Sequence, residues 1–276
     1  MKQTSKILFL VLTVLIMVVT PTIQTKAMSN CKQSQEKEED GVVDLIKVGE
    51  TQVVGGKIDP AMVDQIKFNK KGYINDITRL RHKPSKKSRL HTRLTLNSKI
   101  MYANYNKKYK IVKGSKNRVF FINSKFISKK PIKTTLYSVS GDRCKTYESY
   151  TAIGTKGRSI QSKLQAQAQT RKDGVRTVKD RVCIAIGSHY KANIGQYVDV
   201  HLKNGTIIEC VVSDWKANQH TVNNHTLGLH HDAIEVIVDV KTLKKNSKVS
   251  GDMSDLCKAW DSKVTKIVKY DKNYFD

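Results

Sequence analysis

The sequence predicts a mainly β protein, and three neighbouring observations in its C-terminal half carry this prediction. Residues 196–203 alternate between apolar and polar side chains, the period of two that marks a half-buried strand. Asn204-Gly205 follows, a dipeptide typical of a two-residue type I′ hairpin turn. Residues 206–213 form an almost wholly apolar return strand that leads to Asp214. A carboxylate carried from a buried strand into a long polar loop is a good candidate for an active-site acid.

The charge balance of the chain favours anionic partners. Its 276 residues include 50 Lys and Arg against 24 Asp and Glu, which gives a formal net charge of +26. Such a charge says nothing about the fold, but it attracts polyanions and keeps a chain soluble. The length fits one or two domains. With 39% hydrophobic residues and four prolines, the composition argues against wholesale disorder.

Residues 1–27 are predicted to be a cleaved export signal. Lys2 and Lys6 precede an apolar run over residues 7–19, and a small-residue cleavage site ends at Ala27. The run is shorter than the roughly 20 residues that a membrane-spanning helix needs. The alternative is an uncleaved membrane anchor. Export predicts a secreted or wall-bound protein that meets the membrane only through this signal, and it argues against a nucleic-acid partner.

A strongly basic β region follows a polar tether. Residues 28–71 have weak structural signals apart from one short strand predicted at residues 41–48. Between Lys67 and Lys133 the chain carries 21 Lys or Arg and a single acid, Asp76. The strands predicted in this region lie at residues 77–81, 99–103, 109–112 and 118–123.

Residues 72–130 carry motifs of a known small β-barrel. Its opening turn is matched by Arg81, Pro84 and Ser85, its middle strand by Tyr109 and Val112, and its closing motif by Phe121, Ile122, Phe126 and Ile127. In this order they resemble a bacterial SH3-like domain, with the family's closing Gly replaced and Tyr109 in place of its usual Trp. The resemblance implies binding of cell-wall peptides and glycans, with Tyr109 as a candidate contact. The alternative is a basic spacer held on anionic wall polymers by charge alone, which salt would weaken.

The elements around the second unit are short. Residues 131–144 are predicted to be a linker. The Gln-rich residues 159–172 tolerate a helix but lack a helical period, and Asp173-Gly174 ends them with a hairpin-type turn. Residues 254–260 predict a helical turn, and residues 264–270 predict a last strand.

Residues 145–276 carry four motifs in an order typical of one barrel family. They are a strand at residues 184–187, Ile194-Gly195 with Val198 and Val200, Val211-Val212 before Asp214, and a last strand at residues 232–238. In this order they resemble the double-psi β-barrel family, which includes rare-lipoprotein-A-type lytic transglycosylases and the three-aspartate domain of membrane-bound lytic transglycosylases. The resemblance implies a six-stranded double-psi β-barrel that acts on peptidoglycan. The run from Lys145 to Phe275 also looks like an uncharacterised group of exported Gram-positive proteins, which often carry an SH3-like module in front.

The chain keeps only part of that family's acid pattern. Asp214 stands where the family has its D-T-G aspartate, and Glu235 stands for the aspartate of the last strand, whereas the first aspartate falls near Gly187 and is missing. A lytic transglycosylase needs few acids, because the sugar's own 6-hydroxyl is the nucleophile. One acid protonates the leaving oxygen and then takes the hydroxyl proton, which requires a raised pKa. Asp214 and Glu235 are therefore the candidate catalytic residues; the alternative is that Asp214 only caps a strand end.

Four histidines lie in or beside the loop after Asp214: His220, His225, His230 and His231. Histidine is a common metal ligand, but their spacing matches no helical H-x-x-x-H motif, so we expect neither a metal nor another cofactor. The candidate substrate-binding residues beside these strands and this loop are Tyr190, Lys216 and His220.

The five cysteines leave two interpretations open. Cys183 and Cys210 lie on strands that could be neighbours, flanked by Cys144 and Cys257, and an exported chain can form disulfides. The alternative is buried thiols that pack as small hydrophobic groups. No C-x-x-C spacing supports a structural zinc site.

Together these observations predict an exported wall protein that binds peptidoglycan and anionic wall polymers and cleaves or remodels glycan strands through Asp214. Two alternatives remain. One is a non-catalytic wall- or glycan-binding protein, and the other is a metal-dependent wall hydrolase that uses the loop from His220 to His231.

Overall fold

The chain is mainly β, as the sequence predicts, with 42% strand and 15% helix. The structure is a computed structural model and describes residues 66–114 and 118–276, together with the backbone of β1 (Leu45–Val48) and β2 (Thr51–Val54), which pair antiparallel. The predicted export signal lies outside these residues. Within them, no helix is both long and apolar enough to cross a membrane.

The basic region forms one seven-stranded antiparallel sheet, the N-terminal sheet, in the order β5-β4-β8-β7-β6-β3-β9. The four predicted strands form within a residue of their expected ends. Apolar side chains alternate across β7 and β8 and fill a core on both faces of the sheet, Ile111 and Phe121 on one and Phe120 and Ile122 on the other. The strands are β3 (Lys70–Ile74), β4 (Thr78–Arg81), β5 (Leu90–Leu94), β6 (Lys99–Asn104), β7 (Tyr109–Lys113), β8 (Val119–Asn123) and β9 (Ile127–Ser128).

The rest of the chain forms a nine-stranded mixed sheet, the C-terminal sheet. Its main order is β10-β20-β15-β16-β14-β13-β12, and β19 pairs with both β14 and β11. Two pairs are parallel, β14 with β16 and β11 with β19. The strands are β10 (Thr134–Ser138), β11 (Thr146–Ser149), β12 (Gln169–Thr170), β13 (Arg176–Val178), β14 (Arg181–Ile186), β15 (Gln196–Leu202), β16 (Ile207–Trp215), β19 (Glu235–Val238) and β20 (Val264–Asn273).

Smaller elements border this sheet. A two-stranded hairpin of β17 (Thr221–Val222) and β18 (Leu227–Gly228) follows β16. The helices are α1 (Tyr150–Ile153), α2 (Ile160–Gln167) and α3 (Lys245–Ser250).

Two segments differ from their sequence-based interpretation. The expected linker at residues 131–144 contains β10, which pairs with β20 along its whole length. The Gln-rich segment forms α2, because Ser159 caps it by accepting a hydrogen bond from the Ser162 amide at 3.1 Å and Leu164 is fully buried. A cap and one buried leucine produce no helical period in the sequence, so hydrophobic periodicity does not predict this helix.

The hairpin at Asn204-Gly205 forms, but not with the predicted type I′ turn. Gly205 has φ of +84°, whereas Asn204 is not among the residues with positive φ. The Gly205 amide donates to the Leu202 carbonyl at 3.0 Å, and the Leu202 amide donates to the Thr206 carbonyl at 2.8 Å. This geometry is a three-residue loop that ends in a glycine bulge. The strand register is unaffected, with Val200 opposite Ile208.

Three of the four cysteines in the described residues are free thiols rather than members of a disulfide. Cys144, Cys183 and Cys210 are free, and the last two are buried on β14 and β16. Burial raises the pKa of Cys183 to about 12. Cys257 is disulfide-bonded, and Cys31 lies outside the described residues. The pair Cys183 and Cys210 therefore serves the core as small apolar groups.

A buried ion-pair network crosses the C-terminal sheet. The guanidinium of Arg181, which has no exposed surface, donates to the carbonyls of Val198 and Cys210, both at 2.7 Å. It also forms ion pairs with Asp199 and, at 3.5 Å, with Glu209. These bonds tie β14 to β15 and β16.

The network extends into the N-terminal sheet. Arg93 Nη2 lies 2.5 Å from Glu209 Oε2. Two further ion pairs join the sheets nearby, Arg79 with Asp180 at 3.2 Å and Lys179 with Asp76 at 3.0 Å. The two sheets therefore share charged and buried contacts rather than a bare linker.

We predict that Arg181→Met destabilises the protein by about 3 to 5 kcal/mol, because it leaves the buried carboxylate of Asp199 without its counter-ion and Glu209 with Arg93 alone. Urea unfolding of the full chain measures this change. The control is Arg143→Met, whose exposed guanidinium pairs with Asp255 and Asp261; exposed pairs contribute about 0 to 1 kcal/mol. Equal losses in the two variants would contradict a central role for the buried network.

Candidate active site

One row of residues crosses four neighbouring strands of the C-terminal sheet. Asp214 on β16 lies opposite Ala185 on β14, and Ala185 lies opposite Glu235 on β19. Glu235 in turn lies opposite Thr146 on β11. Residues that face each other across strands project from the same face of a sheet. The two predicted catalytic acids, more than 20 residues apart in the chain, are thus brought to one face with only the small Ala185 between them.

A β-bulge sets this row. On β14 and β16, Ile184 pairs with Val212 but the next residue, Ala185, pairs with Asp214, so that Ser213 is skipped. Ser213 is buried and accepts a hydrogen bond from Gln165 Nε2 at 2.5 Å. Bulges re-aim side chains and are frequent beside active sites. Asp214 is the last residue but one of β16, which ends at Trp215, so it lies at the C-terminal end of the strand as the sequence predicts.

A third carboxylate, Glu148, joins the two predicted acids. It lies two residues beyond Thr146 on β11 and so on the same face of that strand. Burial, followed by the negative charges of Glu235 and Asp214, raises the pKa of Glu148 to about 7, and Lys216 opposes this rise. The charges of Glu235 and Asp214 thus add to the effect of burial, and Glu148 keeps a proton near neutral pH.

The environment of Asp214 also favours its protonated form. Partial burial raises the pKa of Asp214, opposed by hydrogen bonds from the Trp215 amide and from the side chain of Gln161. The Trp215 amide donates to Asp214 Oδ1 at 2.9 Å. Asp214 remains half-buried and so keeps access to solvent.

Behind the three acids lies a buried ion pair. Lys216 Nζ binds Asp232 Oδ2, and both side chains are almost fully buried. Thr146 Oγ1 donates to the same Asp232 oxygen at 2.7 Å. A side chain at Gly228 would overlap both ends of this pair, so the glycine is required by the packing. The predicted substrate-binding residue Lys216 is thus engaged within the protein, where its charge acts on Glu148.

Two further predicted substrate-binding residues lie in cores. Tyr190 has no exposed surface, and its hydroxyl donates to the Thr226 carbonyl at 2.9 Å. Tyr109 is 4% exposed and packs inside the N-terminal sheet. Because both rings pack inside the protein, neither is exposed to contact a ligand. His220 is exposed, at the end of a short 3-10 helix after β16.

Close packing leaves no room for the first aspartate that the double-psi resemblance would place near Gly187. The family's first aspartate would fall near Gly187, but a Cβ atom on Gly187 would overlap the carbonyl oxygen of His225. The loop that holds His225 is anchored there by Tyr190, so no side chain fits. Glu148 supplies a carboxylate from another strand. The sequence offered one weak signal for it, an acid two residues after Thr146 in an alternating stretch.

The histidines do not converge on one point. His220, His230 and His231 are exposed, and His225 Nδ1 lies 2.7 Å from Thr221 Oγ1. Within residues 66–114 and 118–276, no group of three or more His, Cys, Asp or Glu side chains is arranged to hold a metal ion. The geometry therefore gives the metal-dependent alternative no support.

Comparison with known proteins assigns neither a family nor a function to the chain. No protein-family model, curated protein or solved structure matches the chain. The resemblances to the SH3-like and double-psi families accordingly stay predictions that depend on the residues quoted for them.

We predict that Glu148→Gln stabilises the protein at pH 8 but not at pH 4. The folded-state pKa of about 7 lies above the ordinary value of 4.5. Both folded and unfolded chains are protonated below the ordinary value, so the side chain then has no effect. As pH rises towards 7, the unfolded chain ionises first and stability falls, and glutamine escapes this loss.

Thermal unfolding at the two pH values measures the difference. Asp142→Asn, which removes an exposed carboxylate 3.7 Å from Lys263, controls for the loss of one negative charge. A melting-temperature difference that is the same at pH 4 and pH 8 would contradict the proposed burial of Glu148.

Proposed function

We propose that the protein is exported to the cell wall, where its C-terminal sheet cleaves peptidoglycan glycan strands in the manner of a lytic transglycosylase. The observation that carries this proposal is the convergence of Asp214, Glu148 and Glu235, one of which has a pKa of about 7. A general acid–base catalyst works best when its pKa lies near the working pH.

The strand order supports the double-psi interpretation. β14 and β15 are consecutive in the chain, yet β16 lies between them, so the connection at residues 187–195 passes the end of β16. The parallel pairs β14 with β16 and β11 with β19 need such crossovers. Both parallel pairs bring their strands to the row that holds the acids.

The chemistry needs one transferable proton. A protonated carboxyl donates it to the glycosidic oxygen as the bond to the sugar's C1 breaks. The resulting carboxylate takes the proton of the same sugar's 6-hydroxyl, whose oxygen bonds to C1 and leaves an anhydro-sugar end. We assign this proton transfer to Asp214 and Glu148, because burial raises the pKa of both carboxyl groups and both lie on one face of the sheet. The side chain of Glu235 faces the same site and stabilises the positive charge that develops on the ring.

We predict that Asp214→Asn and Glu148→Gln each lower the cleavage rate about 10²- to 10⁴-fold, the usual effect of losing a general acid. Glu235→Gln should cost less, and Asp239→Asn, beyond the end of β19, is the control. Wild-type activity should fall as pH rises through about 7, because Glu148 then loses its proton. Zymography on purified wall and mass spectrometry of the products measure cleavage and the anhydro end.

Three outcomes would contradict this assignment. Wild-type protein that leaves glycan strands uncut favours a wall-binding protein. Full activity in Asp214→Asn moves the chemistry elsewhere. Activity that a chelator removes and zinc restores transfers the site to the histidine loop.

Export is tested separately. N-terminal sequencing of protein from wall and medium fractions should find a mature chain that begins near Met28, since the signal is predicted to end at Ala27. Recovery of the intact chain with Met1 in the cytoplasm would contradict the proposal.

A further inference from the structure

The loop between β4 and β5, residues 82–89, concentrates positive charge on an ordered backbone. Arg81 Nη1 donates to the carbonyls of Lys86 and Ser88, at 2.7 and 3.1 Å, and the Lys83 amide donates to Ser88 Oγ at 2.8 Å. The cationic side chains of this loop are exposed: Lys83, Lys86, Lys87 and Arg89. The loop is thus held in one shape while its charges face solvent.

Two histidines extend this charged loop over an aromatic support. His91 stacks on Phe120 with ring centroids 3.9 Å apart and planes at 8°, and His82 meets both rings edge-on at 5.4 Å. Burial lowers the pKa of His91, and His82, Arg118 and Arg89 lower it further. Every charged group that shifts His91 is cationic.

The nearest acids, one in the N-terminal sheet and one where the C-terminal sheet contacts it, form ion pairs with residues outside the loop. Asp76, the single acid between Lys67 and Lys133, pairs with Lys179, and Asp180 pairs with Arg79. Like charges held close on a fixed backbone repel one another, and this repulsion is relieved when a polyanion binds. The loop therefore favours a polyanion as its ligand.

We propose that the loop at residues 82–89, with His82, His91 and Arg118, is a binding site for a phosphodiester-linked polymer of the wall, such as poly(glycerol phosphate). This inference rests on the proposed export to the cell wall and is independent of the cleavage site. Lysine-rich loops suit such a flexible polymer, because an ammonium group is a point charge that demands no fixed geometry.

The aromatic side chains favour this polymer over nucleic acid. Proteins that bind single strands stack successive bases on exposed aromatic rings. Within the described part of the N-terminal sheet, every Phe and Tyr is buried or half-buried, and Phe120 is only 2% exposed beneath His91. The site thus offers charge without an exposed Phe or Tyr ring on which bases could stack.

Binding should strengthen as pH falls. A protonated imidazole adds a positive charge, so an anion stabilises that form of His91 and of His82. Burial, then His82, Arg118 and Arg89, lower the pKa of His91, and bound phosphates oppose the effect of these three cations. The affinity gain on acidification is then a property of this loop rather than of the net charge.

The test compares two charge-matched variants of the full-length protein. In one, Lys86, Lys87 and Arg89 are changed to Gln; in the other, the control, the exposed strand residues Lys70, Lys71 and Lys99 are changed to Gln. Binding to immobilised poly(glycerol phosphate) is measured over a salt series. The loop variant should bind about tenfold more weakly or worse, with a salt slope smaller by about two, at roughly 0.7 per lost phosphate contact. The control should stay near wild type.

The pH effect has its own variant. His91→Phe keeps the stack on Phe120 and removes the titrating group, so the rise in affinity between pH 7.5 and pH 5.5 should shrink while circular dichroism and melting temperature stay unchanged. Binding to phosphate-stripped wall glycan should be the same in wild type and loop variant.

Several results would overturn the site. Equal losses in loop and control variants would show that net charge alone binds the polymer. Tighter binding of single-stranded DNA than of poly(glycerol phosphate) would assign the loop to nucleic acid. Failure of glycan cleavage would leave this inference intact, and normal cleavage with no polymer binding would refute this inference alone.

Discussion

The fold depends on the burial of one guanidinium. Arg181 begins β14 with no exposed surface, and its donors are used by two backbone carbonyls and two carboxylates. Burial disfavours its charge, but Asp199 and Glu209 outweigh this, and the pKa of Arg181 is raised. A buried charge is tolerated only where such partners are complete. This requirement holds β16 beside β14 and β15 on the far side of β16, and it sets Arg93 of the other sheet against Glu209.

The same strand carries the site at its other end. Arg181 and Ala185 are both on β14, with the bulge between Ile184 and Ala185. Because the ion pairs hold the start of β14 in place, the row of Asp214, Ala185 and Glu235 inherits a fixed register. Burial raises the pKa of Asp214 and of Glu148, and the charges of Glu235 and Asp214 raise that of Glu148 further, which costs stability. The ion pairs of Arg181 stabilise β14 at its start and so offset this loss of stability at the acids.

Local patterns predicted most strands and part of the site, and non-local pairing explains the rest. The alternation over residues 196–203 and the short apolar patterns of β4, β6, β7 and β8 are local signals, and these strands form where expected, whereas β5 is not predicted. Asp214 and Glu235 follow from motif order. Glu148 does not, because it reaches the site only through parallel pairing of β11 with β19, about 90 residues away in the chain. The strand β10 lacks any apolar period, because it is an edge strand whose side chains are mostly exposed. For Tyr190 and Tyr109 the local pattern predicted a ligand contact, but both are buried in cores. The sequence beside a motif does not distinguish an aromatic ring that binds a ligand from one that packs in a core.

The position of the third acid follows from packing rather than from chemistry. At Gly187 the loop after β16 approaches so closely that no side chain fits, and the contact of Tyr190 with Thr226 holds the loop there. A carboxylate on that strand would displace the loop. β11 offers a position on the same face that is half-buried and within reach of two other acids and Lys216. What the proposed reaction requires is a proton held near neutral pH, and this depends on the number of carboxylates and their burial. The strand that supplies each acid can therefore differ, provided the bulge at Ala185 keeps Asp214 and Glu235 in register with it.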